Sequence, residues 1–428
     1  MALLTAFVLL VFLYSLVSQR LERTVITAPM LFAAAGAATT LLPIAAPELA
    51  LDRNAMLLVA ELGLVMTLFT DASRIRPALL KAGRSLPIRL LSTGMLLTIV
   101  LGAVLAVVVL GGLTWWEAGI LAAILAPTDA GLGQVIVNSR RVPPRVRQSL
   151  NVEAGLNDGL AVPFLMLFIA LAVAEEGTAG PGAVLTRFLG EQLGYGTLVG
   201  LGIGAAGGWL LGLADRRGWM APLLAQLGVV TLPLLCVVAS EATGASVFIA
   251  AFVAGIAAQF GFRDVGRHTI EFAEGWGQLF NYLVFFFFGT VVAGAWTHFT
   301  PAVLLYAVLS LTVVRMLPVA LALRGARLSR ATVLFMGWFG PRGLASIVLG
   351  LVYLEREAHL AGESTIRLAL MATVLLSIFA HGLSALPGID LYARRVAALD
   401  ATSSEHQANE GDAPAPPPAP EAGTSAPR

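Results

Sequence analysis

Residues 119–137 read GILAAILAPTDAGLGQVIV, uncharged throughout except for Asp129. A helix crossing the hydrocarbon core of a membrane needs about 20 mostly apolar residues, and this run matches that length. Pro127 stands near its centre. Proline offers no backbone N–H and disfavours helix at the residue before it, here Ala126; Gly131 and Gly133 follow closely. The helix is therefore predicted to break at Pro127-Thr128-Asp129. Broken backbone at that depth is tolerated only where it is buried in protein or lines a wet cavity. The freed carbonyls, the Thr128 hydroxyl and the Asp129 carboxylate are hard oxygen donors that suit alkali cations. A plainer alternative is a proline kink with Asp129 capping the second half-helix, and the two readings are compatible.

The rest of the chain agrees with a membrane setting. Of its 428 residues, 57% are hydrophobic and 12% charged, with a mean hydropathy of +0.84. A soluble domain carries about twice that charge, because its surface faces water. The net charge of +1 implies no nucleic-acid partner. The lone cysteine, Cys236, lies in an apolar run and reads as a buried structural thiol. The N-terminal MALLTAFVLLVFLYSLV has no basic n-region and no small-residue cleavage site, so it reads as a retained first helix.

About thirteen spans are expected, over 2–17, 27–45, 54–70, 87–110, 115–137, 148–174, 191–213, 221–240, 244–260, 274–296, 301–323, 331–354 and 365–386. The division near Glu241 rests on the short polar stretch up to Thr243. If the spans alternate, the odd-numbered loops hold 17 basic residues, from Arg20 to Arg330, and the even-numbered loops only Arg53, Arg187 and Arg356. By the positive-inside rule this puts the odd loops and the C-terminus in the cytoplasm and the N-terminus outside. Residues 1–395 form the membrane domain. Residues 396–428 turn polar and Pro/Ala-rich, a composition expected to form a disordered cytoplasmic tail.

Ionisable groups at membrane depth are costly and usually face the protein interior or a water-filled cavity. Here they are Glu61, Asp129, Glu153, Asp158, Arg315 and Arg342. The sixth span contains QSLNVEAGLNDGLAVPFLMLF (148–168), in which Glu153 and Asn157 share a face and can hydrogen-bond. Asp158 projects about 100° further round. The twelfth span contains FMGWFGPRGLASIVLGL (335–351), and Gly340-Pro341-Arg342-Gly343 should break it as Pro127 breaks the fifth. The two broken spans lie seven apart, so they start from opposite sides of the membrane. Interrupted helices at corresponding positions of inverted halves mark transporter sites. Helices one to six and eight to thirteen would be the repeats, with helix seven as linker. The half-helix ends at the breaks carry partial charges that Asp129 and Arg342 can offset. Arg315 needs an acidic partner, and Glu153 is the expected one because an ion-binding Asp158 should not be permanently neutralised. Glu61, in LVAELGLVM (58–66), serves either a structural hydrogen bond or the cation path.

In APTDA (126–130), EAGLNDG (153–159) and GPRGLASI (340–347) the chain resembles the monovalent cation/proton antiporter family. The branch is that of prokaryotic sodium/proton antiporters and eukaryotic sodium/proton exchangers. ASVFIAAFVAG (245–255), NYLVFFFFG (281–289) and VVRMLPV (313–319) add support. The resemblance implies an all-α fold of two inverted-topology repeats whose broken helices cross near the midplane. It implies a homodimer in the bacterial inner membrane that exchanges Na⁺, or K⁺ or Li⁺, for H⁺ by alternating access without a cofactor. Asp158 would bind the ion or the proton, and Thr128 and Asp129 would complete the site. Glu153, Asn157, Arg315 and Arg342 would support it. The Asn157-Asp158 pair is similar to that of electroneutral members, which exchange one cation for one proton. Ala154 stands where some members carry a coordinating serine. Burial raises a carboxylate's pKa and a bound cation lowers it, so a single site can hold either ligand but not both. The rivals are a cation channel or other transporter, and, more remotely, an intramembrane aspartyl protease. The protease would show Tyr-Asp and Gly-x-Gly-Asp; this chain has Pro-Thr-Asp and Asn-Asp-Gly. No His-Glu-x-x-His occurs among His268, His298, His359, His381 and His406 to suggest zinc chemistry.

Overall fold

A computed structural model describes residues 2–21, 24–41, 53–73, 86–176, 182, 186, 188–262, 265–355, 360–399 and 405. Arg23, Arg74, Arg76, Lys81, Arg84, Arg187, Arg263 and Arg356, all used in the loop-charge reading, lie outside the described residues. So does nearly all of the expected tail. The described residues form helices and no strands. In chain order these are α1 (Ala2–Leu21), α2 (Ala28–Thr39), α3 (Arg53–Ser73), α4 (Leu86–Leu110), α5 (Trp115–Leu125), α6 (Ala130–Val137) and α7 (Pro144–Glu176). They continue with α8 (Gly196–Arg216), α9 (Pro222–Thr243), α10 (Val247–Gly261), α11 (Val265–Ala295), α12 (Pro301–Ala322), α13 (Arg330–Trp338), α14 (Leu344–Glu355) and α15 (Glu363–Ala397).

Eight of the helices are long and apolar enough to cross a membrane by themselves. Their outer faces are apolar too: Phe12 and Leu16 on α1, Leu198 and Leu210 on α8, Val238 on α9 and Leu305 on α12 are all exposed. A soluble chain would turn these side chains inward; here they suit contact with lipid. The polar residues do the reverse. Glu153, Asp158, Arg315 and Arg342 are buried among the packed helices.

Close packing follows from small residues. Gly196, Gly200, Gly204, Gly208 and Gly212 recur every fourth residue along α8 and are all buried. A Cβ at Gly200, Gly204 or Gly208 would stand 2.5, 2.5 or 2.3 Å from the carbonyl oxygens of Ala250, Ala254 or Ala258 on α10. Only hydrogen at these positions lets the two backbones meet, as in small-xxx-small membrane packing. The division expected near Glu241 is present: α9 ends at Thr243, Gly244 takes a left-handed φ of 68°, and Ser246 caps α10. The eleventh expected span is less regular than predicted. α12 kinks at Thr312, three residues before Arg315.

Several of the basic loops gather at one end of the bundle. Arg89 at the start of α4 donates to the Arg324 carbonyl at 2.9 Å, and Arg141 pairs with Asp390 of α15. At the opposite end Thr114 and Glu117 form a capping box on α5, and Glu117 also accepts from the Gly362 N–H at 2.6 Å. Within the expected tail, Glu405 accepts from Ser329 N at 2.7 Å and Thr332 Oγ1 at 2.9 Å, at the start of α13. Burial favours its neutral form, but these bonds outweigh that cost and hold its carboxyl below the usual glutamate range.

Candidate functional site

The predicted breaks are where the chain interrupts itself. α5 stops at Leu125 and α6 starts at Ala130, with Asp129 as its N-cap, accepting from Leu132 N at 2.9 Å. The proline-kink alternative was thus right about the cap, but the helix is interrupted outright and not merely bent. α13 stops at Trp338 and α14 starts at Leu344. The two breaks touch. Asp129 N donates to the Pro341 carbonyl at 2.8 Å, and the second carboxylate oxygen of Asp129 accepts from Leu344 N. Asp129 therefore caps the N-termini of two half-helices at once, where the peptide dipoles favour negative charge.

Arg342 does the converse. Its Nη1 donates to the carbonyls of Ala126 and Pro127 at 2.7 and 2.8 Å, the freed acceptors at the C-terminal end of α5. The side chain is fully buried, at 0% exposure. Each break thus supplies a charged side chain to the other's open helix end. Glycine makes this approach possible. A Cβ on Gly343 would lie 2.3 Å from Asp129 Oδ2, and one on Gly340 would lie 2.2 Å from Arg315 Nε.

α7 supplies the remaining groups. Glu153 and Arg315 form a two-pronged ion pair, Nη1–Oε1 at 2.5 Å and Nη2–Oε2 at 3.0 Å, with side chains only 3% and 4% exposed. This is the pairing that the sequence suggested. The Asn157 amide, however, donates to Thr128 Oγ1 at 2.7 Å, across to the first break, and not to Glu153. With both Glu153 oxygens taken by the guanidinium, the amide finds its acceptor on the neighbouring element. Asp158 is 7% exposed, and its Oδ1 has no hydrogen-bond partner; neither has Asn157 Oδ1. Buried acceptor oxygens are rarely left without a donor, and each of these two is a hard oxygen suited to a cation.

A cavity of about 20 Å³ opens beside this set, lined by Thr128, Asp129, Asn151, Ala154, Phe339 and Pro341 among others. That is room for about one water. Asp158 does not line it; the cavity stops one turn short, at Ala154. Thr128, Asp129, Glu153, Asn157, Asp158, Arg315 and Arg342 thus come together, whereas Glu61, half-buried on α3, does not line the cavity.

Three polar residues escaped the sequence reading. His381 Nε2 meets the Trp338 carbonyl at 2.9 Å, and its Nδ1 lies 3.1 Å from the Ser377 hydroxyl and 3.0 Å from the Ser377 carbonyl. Ser377 Oγ in turn accepts from Arg342 N at 2.6 Å. The i,i+4 spacing of Ser377 and His381 within an apolar span was the available signal. Asp71 on α3 is the third; its carboxyl carbon lies 3.9 Å from where Gly155 would carry a Cβ. It sits near the end of its span, where an acid looks interfacial.

A family model described as sodium/hydrogen exchanger, transmembrane, matches residues 5–387. The chain belongs to the sodium/hydrogen exchanger family. It is accordingly a multi-pass membrane protein of a transporter family, not an enzyme. Among curated relatives, the K⁺/H⁺ antiporter NhaP of Alkalimonas amylolytica is 28% identical over 69% of this chain and 50% of its own length. A Na⁺/H⁺ antiporter of Schizosaccharomyces pombe is 28% identical over 54% of this chain and 52% of its own. The chain therefore spans about half the length of these curated relatives. The fold is that of the sodium proton antiporter MjNhaP1 from Methanocaldococcus jannaschii. Its structure at pH 8 aligns with a TM-score of 0.62 at 21% identity, covering 92% of this chain and 100% of that one. An electron-microscopy map of MjNhaP1 gives a TM-score of 0.67 at 20% identity, covering 92% and 97%.

Proposed function

We infer that this exchanger swaps a monovalent cation for a proton at Asp158, by alternating access and with one-for-one stoichiometry. The observation that carries the reading is the pair of unpartnered buried oxygens, Asp158 Oδ1 and Asn157 Oδ1, beside two touching helix breaks. Asp158 is the single carboxylate there without a fixed partner, since Glu153 is bound to Arg315 and Asp129 to two backbone N–H groups. A proton and a cation compete for such a group, because each removes the charge that holds the other. Thr128 and Asp129 complete the ligand set, and Arg342 holds the first break in register. Na⁺ is the foremost cation and K⁺ or Li⁺ the alternatives. The relatives include proteins named for Na⁺ and for K⁺, and Ala154 offers the cavity a methyl group in place of a hydroxyl.

Residues 1–395 act as one transport domain of about thirteen spans in two inverted repeats, and the tail beyond is cytoplasmic. The setting is a bacterial inner membrane, with the protein as a homodimer. The basic loops face the cytoplasm by the positive-inside rule, and the N-terminus lies outside.

The test is exchange in proteoliposomes carrying a trapped pH dye, with Na⁺, K⁺ and Li⁺ compared. Wild-type protein should move protons against at least one of them, whereas a channel would conduct the cation without coupled proton movement. Asp158→Asn keeps the side chain's shape but cannot exchange a proton, so it should abolish the signal while leaving expression near normal. Wild-type rates in that variant would put the site elsewhere.

A further inference from the structure

In an unbroken helix the N–H of Arg342 would donate to the carbonyl of Trp338, four residues before it. The second break removes that bond. Pro341 stands inside the interval, and its ring would clash with the Gly337 carbonyl if the helix ran on. Arg342 is fully buried, so its N–H must find an acceptor other than water. α15 serves both freed groups. Ser377 Oγ accepts from Arg342 N at 2.6 Å, and His381 Nε2 meets the Trp338 carbonyl at 2.9 Å. Ser377 and His381 stand one turn apart, with Ser377 Oγ 3.1 Å from His381 Nδ1. A bridge of two side chains thus takes the place of the missing helical bond.

We propose that Ser377 and His381 are positioning residues of the ion site, splicing the second break from α15 so that its loop walls the cavity beside Thr128 and Asp129. The inference rests on the reading of Asp158, Thr128 and Asp129 as the place where cation and proton compete.

The bridge belongs to a longer seam. Ser377, His381, Ser384 and Gly388 recur at helical spacing on one face of α15. Ser384 Oγ accepts from the Trp338 indole at 2.9 Å, and a Cβ on Gly388 would lie 2.6 Å from the Phe339 ring. What the seam holds is the loop 339–341. Phe339 and Pro341 line the cavity together with Thr128 and Asp129. The Pro341 carbonyl accepts from Asp129 N at 2.8 Å. Arg342, its N–H fixed by Ser377, sends its guanidinium to the Ala126 and Pro127 carbonyls. The loop is therefore fastened at both ends to α15 and through its middle to the first break.

The ring serves in either charge state. A carbonyl oxygen only accepts, so the bond to Trp338 needs hydrogen on Nε2, which the imidazolium and one neutral tautomer both carry. Nδ1 faces the Ser377 hydroxyl at 3.1 Å and the Ser377 carbonyl at 3.0 Å, so it can accept from the one or donate to the other. The role is positional and asks no proton transfer of His381. Cutting the bridge leaves the Arg342 N–H without its acceptor, or the Trp338 carbonyl with only the Gly340 N–H. Pro341 keeps the two from joining each other. The loop then shifts, and with it the cavity wall and the carbonyl that holds Asp129. One such hydrogen bond corresponds to about a fivefold change in an equilibrium constant, and cation affinity should fall by that factor.

The experiment compares wild-type protein, His381→Ala, Ser377→Ala, the double alanine variant and Asp158→Asn in proteoliposomes. Initial exchange rate is measured against Na⁺, K⁺ or Li⁺ concentration, and melting temperature in detergent. His381→Ala and Ser377→Ala should each raise the half-saturating cation concentration about fivefold, with the maximal rate per folded protein within about twofold. Either change cuts the same bridge, so the double variant should stay near the singles, well short of the roughly 25-fold of independent effects. An unchanged half-saturation in both single variants, or a loss confined to melting temperature or maximal rate, reduces the pair to packing and overturns the proposal.

Two milder variants keep the test decisive where alanine prevents folding. The amide of His381→Gln can reach the Trp338 carbonyl, and half-saturation should stay within about twofold of wild type. The shorter His381→Asn reaches only the place of Nδ1, and half-saturation should rise about fivefold. Equal values in the two overturn the bond to Trp338. Loss of exchange in Asp158→Asn alongside wild-type half-saturation in the α15 variants sinks the positioning role alone. Wild-type exchange by Asp158→Asn sinks the site reading and the positioning role with it.

Discussion

Replacing Arg315 with alanine isolates what holds the site together. The guanidinium meets Glu153 through two bonds, at 2.5 and 3.0 Å, with both side chains nearly inaccessible. Removing one partner leaves the other charge buried and unpaired, which costs about 3–5 kcal/mol. Arg315 also packs against the break, where its Nε lies 2.2 Å from the position of a Cβ on Gly340, so alanine opens a void there as well. At about 2 °C per kcal/mol, the scaling of larger domains, the detergent melting temperature should fall by about 6–10 °C. Charge and packing separate in a double-mutant cycle. Arg315→Met with Glu153→Gln removes both charges at nearly constant volume, and such neutral replacements of buried pairs are close to neutral or stabilising. The double variant should therefore melt well above either single variant, with a coupling of at least about 1 kcal/mol. Apparent cation affinity in surviving Arg315→Ala protein should change less than its stability. An unchanged melting temperature in Arg315→Ala, or strict additivity in the cycle, would refute the pairing as a stabilising element.

Two further outcomes follow from the same geometry. A Cβ added by Gly343→Ala would lie 2.3 Å from Asp129 Oδ2 and displace the carboxylate from Leu344 N. Losing one charged hydrogen bond of about 1.5–3 kcal/mol should lower exchange by at least about tenfold; wild-type exchange in this variant would mean that the double cap is dispensable. One-for-one exchange by Asp158 alone should be electroneutral, so a potential imposed with valinomycin and K⁺ should alter neither rate nor end point of Na⁺-driven proton movement. A signal that grows at inside-negative potential would bring in a second proton carrier, Asp129 or Glu61.

The sequence by itself determined the medium, the breaks and most of the buried charged groups that gather at them. Runs of about 20 apolar residues have no soluble solution, and a proline among glycines in such a run interrupts a helix whatever surrounds it. An ionisable group at that depth must also have an interior purpose. Asp129, Glu153, Asp158, Arg315 and Arg342 were therefore legible before any coordinates. The pairing of Arg315 with Glu153 was legible too, by asking which acid could be neutralised without loss. Partnerships between elements far apart in sequence were not. Asn157 turns to Thr128, His381 takes the Trp338 carbonyl, and Asp129 reaches Leu344 across 215 residues. Each depends on which helices lie side by side and how they are rotated. Asp71 shows the limit most plainly. Its neighbours in sequence mark it as the polar end of a span, and only the packing of α3 against α7 sets it beside Gly155. Burial and backbone breakage are local costs that a sequence carries along its length. Which open helix end meets which charge is decided when the helices pack, and tertiary structure alone supplies that.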